Sequence, residues 1–209
     1  MKHMLKSVMA FTLILVMAMG LAGCGNKVGD VDLSDGKNAI YIDEDGRVSY
    51  GVTEKFSTDQ YDKDELEKYI NDEVADYNKS SEASVSDAIT VDKYNVKDDN
   101  AYLILDIASV YDFNEYIQNY NNESEKTFYA GQIADRGKCK IKGDFVSKNK
   151  KENLKGKDIR KMTDSQIVVL NGEYRVQLDA DVKYISTNCS IDEDGIITTA
   201  KDQVSYIVY

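Results

Sequence analysis

From Ala39 onward, apolar residues recur at strand spacing, and in two stretches at helical spacing. Ala39-Ile40-Tyr41-Ile42, then Asp43-Glu44-Asp45-Gly46, then Arg47 to Val52 predicts strand, turn, strand. The Asp-Gly step marks the turn, because glycine accepts the positive φ that a tight hairpin needs. Asp62, with Glu65 three residues on, opens a predicted helix in which Leu66, Tyr69, Ile70, Val74 and Tyr77 share a face. Ser80 to Ser86 is polar and reads as a loop. Ile89–Val96 and Ala101–Ala108 predict a second strand pair around Lys97–Asn100, and Leu103-Ile104-Leu105, apolar on both faces, predicts a central strand. Ser109 is placed to cap a helix from Val110 to about Tyr120, with Val110, Phe113, Ile117 and Tyr120 on one side.

Thr127–Ala134 and Phe145-Val146 carry weaker strand patterns. Further on, Ile167–Leu170, Asn171-Gly172 and Glu173–Leu178 predict a hairpin with a two-residue loop. That register sets Val169 opposite Tyr174 and Ile167 opposite Val176, with Leu178 on the same apolar face. Val182–Ser186, Ile196–Thr199 and Val204–Val208 are expected to complete an antiparallel meander. The fold class expected is α+β: an antiparallel sheet of hairpins and meander with two amphipathic helices packed on it. The globular domain spans residues 39–209, either as one unit or as two sub-lobes, about 39–146 and 162–209, joined by a lysine-rich segment.

The residues before this domain read as targeting rather than fold. Lys2 and Lys6 precede an apolar run from Val8 to Met19 broken only by Thr12, followed by Gly20, Ala22 and Gly23. Val8 to Ala22 is shorter than the roughly 20 apolar residues that a spanning helix needs. Leu21-Ala22-Gly23-Cys24 resembles the lipobox of bacterial lipoproteins at all four positions. The resemblance implies a signal peptide over residues 1–23, cleavage between Gly23 and Cys24, and a diacylglycerol on the Cys24 thiol. It also implies Sec-type export and residence on the outer face of the cell membrane. Two acyl chains hold firmly, since each buried methylene contributes about 0.8 kcal/mol. Residues 24–38, rich in Gly, Asp and Asn, then read as a lipidated flexible tether.

Removing residues 1–23 takes away Lys2, Lys6 and no acid, so the net charge of −11 becomes −13. It also removes His3, the sole histidine. Without imidazole, Ser-His-Asp and Cys-His constellations and histidine metal sites are closed. The remaining 186 of 209 residues suffice for one good core. Lysine-heavy composition with abundant Asn, Ile and Tyr resembles that of small lipoproteins from low-GC Gram-positive bacteria.

Four features invite chemistry. Asp43-Glu44-Asp45-Gly46 recurs as Asp192-Glu193-Asp194-Gly195, which suggests calcium. Set on an EF-hand loop, however, the glycines place Tyr41 or Ser190 at the first ligand position and Val52 or Lys201 at the last. Acidic hairpin turns are the preferred reading, and no metal site or cofactor is expected. Cys139 and Cys189 form either a disulfide or two buried thiols, and two cysteines alone make no disulfide framework. Lys138 to Lys161 holds ten Lys or Arg against Asp144, Glu152 and Asp158, a net of +7 that leaves −20 on the rest of the mature chain. Within it Lys148, Lys150, Lys151, Lys155 and Lys157 are candidate contacts to anionic lipid or wall polymer. The bland alternative is a solvated loop drawn to the protein's own acidic helix. The 15 tyrosines, finally, suit a ligand groove less well than packing, as at Tyr69, Tyr77, Tyr120 and Tyr174.

Nucleic acid is not an expected partner for an acidic exported chain whose basic segment lacks interleaved aromatics. The expectation is thus an envelope interaction module, non-catalytic and of unspecified protein partner. A solute receptor for a transporter and a carboxylate-type enzyme acting on wall glycans stand as alternatives.

Overall fold

In the computed structural model, which describes residues 25–33, 36–117, 128–137 and 139–209, the apolar positions sort into three clusters separated by two sheets. The chain runs through β1 (Lys27–Val28), β2 (Val31–Asp32), β3 (Asn38–Ile42), β4 (Val48–Lys55), α1 (Lys63–Lys79), β5 (Ile89–Lys97), β6 (Asn100–Ile107), α2 (Val110–Glu115) and β7 (Tyr129–Gln132). It continues through β8 (Asp144–Ser147), β9 (Asn153–Lys155), α3 (Gly156–Ile159), β10 (Gln166–Asn171), β11 (Tyr174–Leu178), β12 (Tyr184–Ser186), β13 (Ser190–Ile191), β14 (Ile197–Thr198) and β15 (Val204–Val208). The first large sheet has the order β13-β14-β11-β3-β4-β6-β5, and the second β7-β10-β15-β12-β8-β9. Pairing is antiparallel throughout both except between β11 and β3, which are parallel. The class is mixed α and β, with mostly antiparallel sheets and three helices among the described residues.

Strand alternation explains the three clusters, because successive side chains leave opposite faces of a sheet. Ile40, Val48, Leu105, Ile107 and Val176 of the first sheet meet Val168, Leu170, Ile185 and Ile207 of the second in a shared central core. On the first sheet's other face, Ala39, Tyr102 and Ile104 pack with Val28, Val31 and Leu33. On the second sheet's other face, Ile167, Val169, Tyr206 and Val208 pack with Ile133, Ile141, Phe145 and Ile159. Each sheet is therefore covered on both sides, and the layers run from the β1–β2 hairpin through both sheets to α3.

The local signals hold where turns and caps are concerned. β3 and β4 pair around Asp43–Gly46. β5 and β6 turn through Asp98 and Asp99 at φ 51° and 56°, the left-handed pair of a two-residue hairpin. β6 is internal, with β4 and β5 on its two sides. Asp62 accepts from the backbone N–H groups of Asp64 and Glu65, and the Ser109 hydroxyl accepts from that of Asp112. Of the α1 face, Val74 and Tyr77 are buried, but Tyr69 is 58% exposed and bonds Glu73 instead. α2 ends at Glu115, and the predicted continuation to Tyr120 lies outside the described residues from position 118.

Four expectations fail, the first of them because β10 is buried on both faces. Ile167 to Leu170 are all 0% exposed, so the strand cannot be half of a one-sided hairpin. β10 pairs with β15 and β7, whereas β11 pairs with β3 and β14 in the other sheet. Asn171–Glu173 is thus a crossing between sheets, with Gly172 at φ 133°. The expected meander likewise divides, β12 and β15 joining the second sheet and β14 the first. Division into sub-lobes 39–146 and 162–209 also fails, because each sheet draws strands from both segments. Finally, residues 25–33 of the expected tether form the β1–β2 hairpin, and Val28, Val31 and Leu33 are at most 1% exposed.

Candidate functional site

The lysine-rich segment is built into the fold rather than looped off it. β8 and β9 form the outer edge of the second sheet, joined through Lys148–Glu152. The turn is tied by the Ser147 hydroxyl, which accepts from the backbone N–H groups of Lys151 and Glu152, and Lys150 sits at φ 58°. Gly156 starts α3 where the backbone of Ile141 and Lys142 comes so close that a Cβ would stand 2.9 Å from each. Ile141 and Ile159 are both fully buried, so the lysines flanking them are fixed on the outer layer.

Lys148, Lys150, Lys151, Lys155 and Lys157 are all exposed. Lys148 pairs with Asp181 at 3.3 Å and Lys155 with Asp144 at 2.5 Å. Lys161 pairs with Asp158 at 3.1 Å, and that hydrogen bond holds the Asp158 carboxyl below the usual range. Among the described residues, Lys150, Lys151 and Lys157 make no ion pair. No ion pair among the described residues links the segment to α1, contrary to the bland reading. Such solvent-exposed pairs contribute little to stability, so they yield readily to an external anion.

Beside the β8–β9 turn lies an open groove of about 560 Å³, with Lys161, Lys183, Tyr184, Glu152, Thr163 and Ser165 on its walls. A second hollow of about 390 Å³ shares Ser147, Asn149 and Lys183 with it and adds Lys148 and Asp181. The Lys183 ammonium contacts the Ser165 hydroxyl at 3.3 Å. The Tyr184 hydroxyl donates to Glu152 at 2.7 Å, which raises the phenol above its ordinary value. The groove can therefore offer ammonium and hydroxyl donors together to an anion. Lys183, Thr163 and Ser165 were not legible as part of this site, because their place depends on the β8–β12 pairing across the sheet.

The other candidates resolve as structure. In each acidic repeat the leading aspartate accepts from the N–H groups two and four residues on: Asp43 from Asp45 and Arg47, Asp192 from Asp194 and Ile196. These are self-bonded turns, and no cluster of three or more metal-ligating side chains occurs among the described residues. Cys139 and Cys189 are free thiols on opposite faces of the second sheet, Cys139 against the outer cluster and Cys189 against the central core. Burial pushes the Cys139 thiol up. The disulfide alternative is not formed.

Asp112 is fully buried, and it is the one buried charged side chain among the described residues. It accepts from the Ser84 N–H and hydroxyl at 2.8 and 2.6 Å, and from the hydroxyls of Ser109 and Tyr77 at 2.5 and 3.3 Å. This network ties the loop after α1 to the start of α2. Gly23 and Cys24 lie outside the described residues, and among the described residues no helix is long and apolar enough to cross a membrane. Comparison with family models, curated proteins and solved structures finds no match to this chain.

Proposed function

We propose that the chain is an exported bacterial lipoprotein, cut between Gly23 and Cys24 and held on the outer face of the cell membrane by diacylglycerol on Cys24. Its domain serves as a non-catalytic interaction module of the envelope that engages anionic lipid or wall polymer. One observation carries the second half: an acidic protein gathers its excess lysines on a single ordered edge, with Lys150, Lys151 and Lys157 exposed and without ion pairs to described residues. In this reading α1 and α2 are the two amphipathic helices on the first sheet, and the acidic outer face of α1 leaves the basic edge to external anions.

Mass spectrometry of the mature N-terminus tests the anchor, with Cys24→Ala expected to shift the protein from membrane to medium. Retention of the variant on the membrane refutes the anchor. The module is tested with Lys→Gln at Lys148, Lys150, Lys151, Lys155 and Lys157 together. Binding to phosphatidylglycerol vesicles or to wall polymer is expected to fall and to weaken with salt in the parent protein. Equal, salt-independent binding by parent and variant sinks the reading.

A further inference from the structure

The layer order assigns the basic edge to the side of the domain turned away from Cys24. We infer that its partner is a phosphodiester polyanion of the wall, not the headgroups of the bilayer that holds the anchor. The inference rests on lipidation of Cys24 as proposed above.

The chain after Cys24 has no slack. The Gly25 carbonyl accepts from Lys93 Nζ at 2.8 Å, the Asn26 carbonyl from the Leu33 N–H at 2.8 Å, and Gln177 Oε1 from the Asp30 N–H at 2.8 Å. Val28, Val31 and Leu33 are sealed against the outer face of the first sheet. Adjacent Cα atoms are about 3.8 Å apart, so a lipid on Cys24 holds that face, near the edge strand β5, at the membrane.

The lysines lie opposite in two independent directions. Through the layers, Lys140, Lys142 and Lys157 ride on the segments that bury Ile141 and Ile159 against the far face of the second sheet. Across the sheets, Tyr50 of β4, Phe113 of α2 and Phe128 beside β7 stack at 5.4 and 4.5 Å, which sets the β7 edge over the anchored part of the first sheet. β9 is the other edge, five strands away. With about 10 Å between packed layers, the second sheet and its β8–β9 turn stand roughly 20 Å above the anchored hairpin layer, and the turn is also displaced sideways across the sheet. At about 8 Å Debye length that height is some two and a half screening lengths, so headgroup charge is attenuated to below about a tenth there. A polymer rising past the domain meets the lysines directly. Ammonium groups suit a string of phosphates, since each acts as a point charge without demanding a planar fork.

The test uses lipidated protein purified from membranes and reconstituted in phosphatidylglycerol vesicles. A donor dye at Lys27→Cys or Lys150→Cys, with Cys139→Ala and Cys189→Ala, reports energy transfer to acceptor-labelled headgroups. Transfer is expected to be several-fold weaker from position 150 than from position 27. In parallel, unlabelled parent protein is expected to bind poly(glycerol phosphate) equally on phosphatidylglycerol and phosphatidylcholine vesicles, and the five-lysine Gln variant to lose most of that binding. Equal transfer from both positions, or polymer binding that vanishes on phosphatidylglycerol because headgroups already occupy the lysines, overturns the inference. A mature N-terminus without diacylglycerol overturns the anchor itself, and this inference with it, which mass spectrometry separates from a lipidated protein lying lysine side down.

Discussion

Gly51, in the middle of β4, is where the N-terminal hairpin is most tightly seated. A Cβ there would stand 2.6 Å from Val28 Cγ2 and 2.8 and 2.9 Å from the two Leu33 methyls. Gly51→Ala therefore overpacks the contact, at about 1–3 kcal/mol, and strand preference for Ala returns about 0.5–1 kcal/mol. A net loss of about 0.5–2 kcal/mol is expected. Leu33→Ala alone empties a fully buried position and costs about 2–5 kcal/mol. In the double variant the new methyl sits where the Leu33 methyls were, so the losses should fall short of additivity by about 1–2 kcal/mol, within the usual range for touching residues. Urea titration of residues 25–209 reads this directly: with a slope of about 2 kcal/mol/M, Gly51→Ala should lower the midpoint by roughly 0.25–1 M. Proteolysis should at the same time cut sooner within residues 25–33. Strict additivity, or a Gly51→Ala protein as stable as the parent, would refute the seating of Val28 and Leu33 on β4.

Asp112→Ala leaves the Ser84 N–H and hydroxyl and the Ser109 hydroxyl unanswered, with Tyr77 keeping only the Asp112 carbonyl, which should cost about 3–5 kcal/mol and lower the melting temperature by about 10 °C or more; a shift under 2 °C contradicts the network. Burial raises Tyr209 to about 12, and the hydrogen bond to Asp179 raises Tyr41 to about 12, from the usual value near 10. Both phenols hold their protons longer when folded, so their contribution is intact below pH 10 and is lost as pH rises from 10 through 12. Tyr209→Phe should flatten the fall of the urea midpoint in that window, and an unchanged alkaline slope rejects the assignment. Asp43→Ala and Asp192→Ala should each cost about 1 kcal/mol through their turn bonds, while millimolar calcium leaves the parent melting temperature unmoved; a calcium-dependent rise would restore a metal role to these turns.

What the sequence made legible was whatever is decided within a few residues. Asp62 and Ser109 cap helices because their oxygens reach N–H groups two or three positions on, and Asp-Gly or Asp-Asp turns close hairpins by local φ alone. Pairing between distant segments was not legible. The unbroken Ile167-Val168-Val169-Leu170 run is the mark of a strand covered on both faces, yet Asn171-Gly172 imposed a hairpin reading on it. Val28, Val31 and Leu33 were hidden among glycines and aspartates, with too few apolar positions to reveal a period. Of the basic face, the lysines of residues 138–161 were evident as charge, but the groove beside them needed Lys183 and Ser165, contributed by segments only the sheet brings near.

The parallel pairing of β3 with β11 has a consequence for the order in which the molecule assembles. Asn38–Ile42 finds its second neighbour only in Tyr174–Leu178, and the centre of the second sheet waits for Val204–Val208. An N-terminal fragment can form the β3–β4 and β5–β6 hairpins by itself, but neither sheet closes until nearly the whole chain is free. Such non-local closure is intrinsically slow. If the chain is exported as proposed, threaded through a membrane from its N-terminus, that delay would keep the polypeptide extended during passage and defer folding until the last strand has crossed.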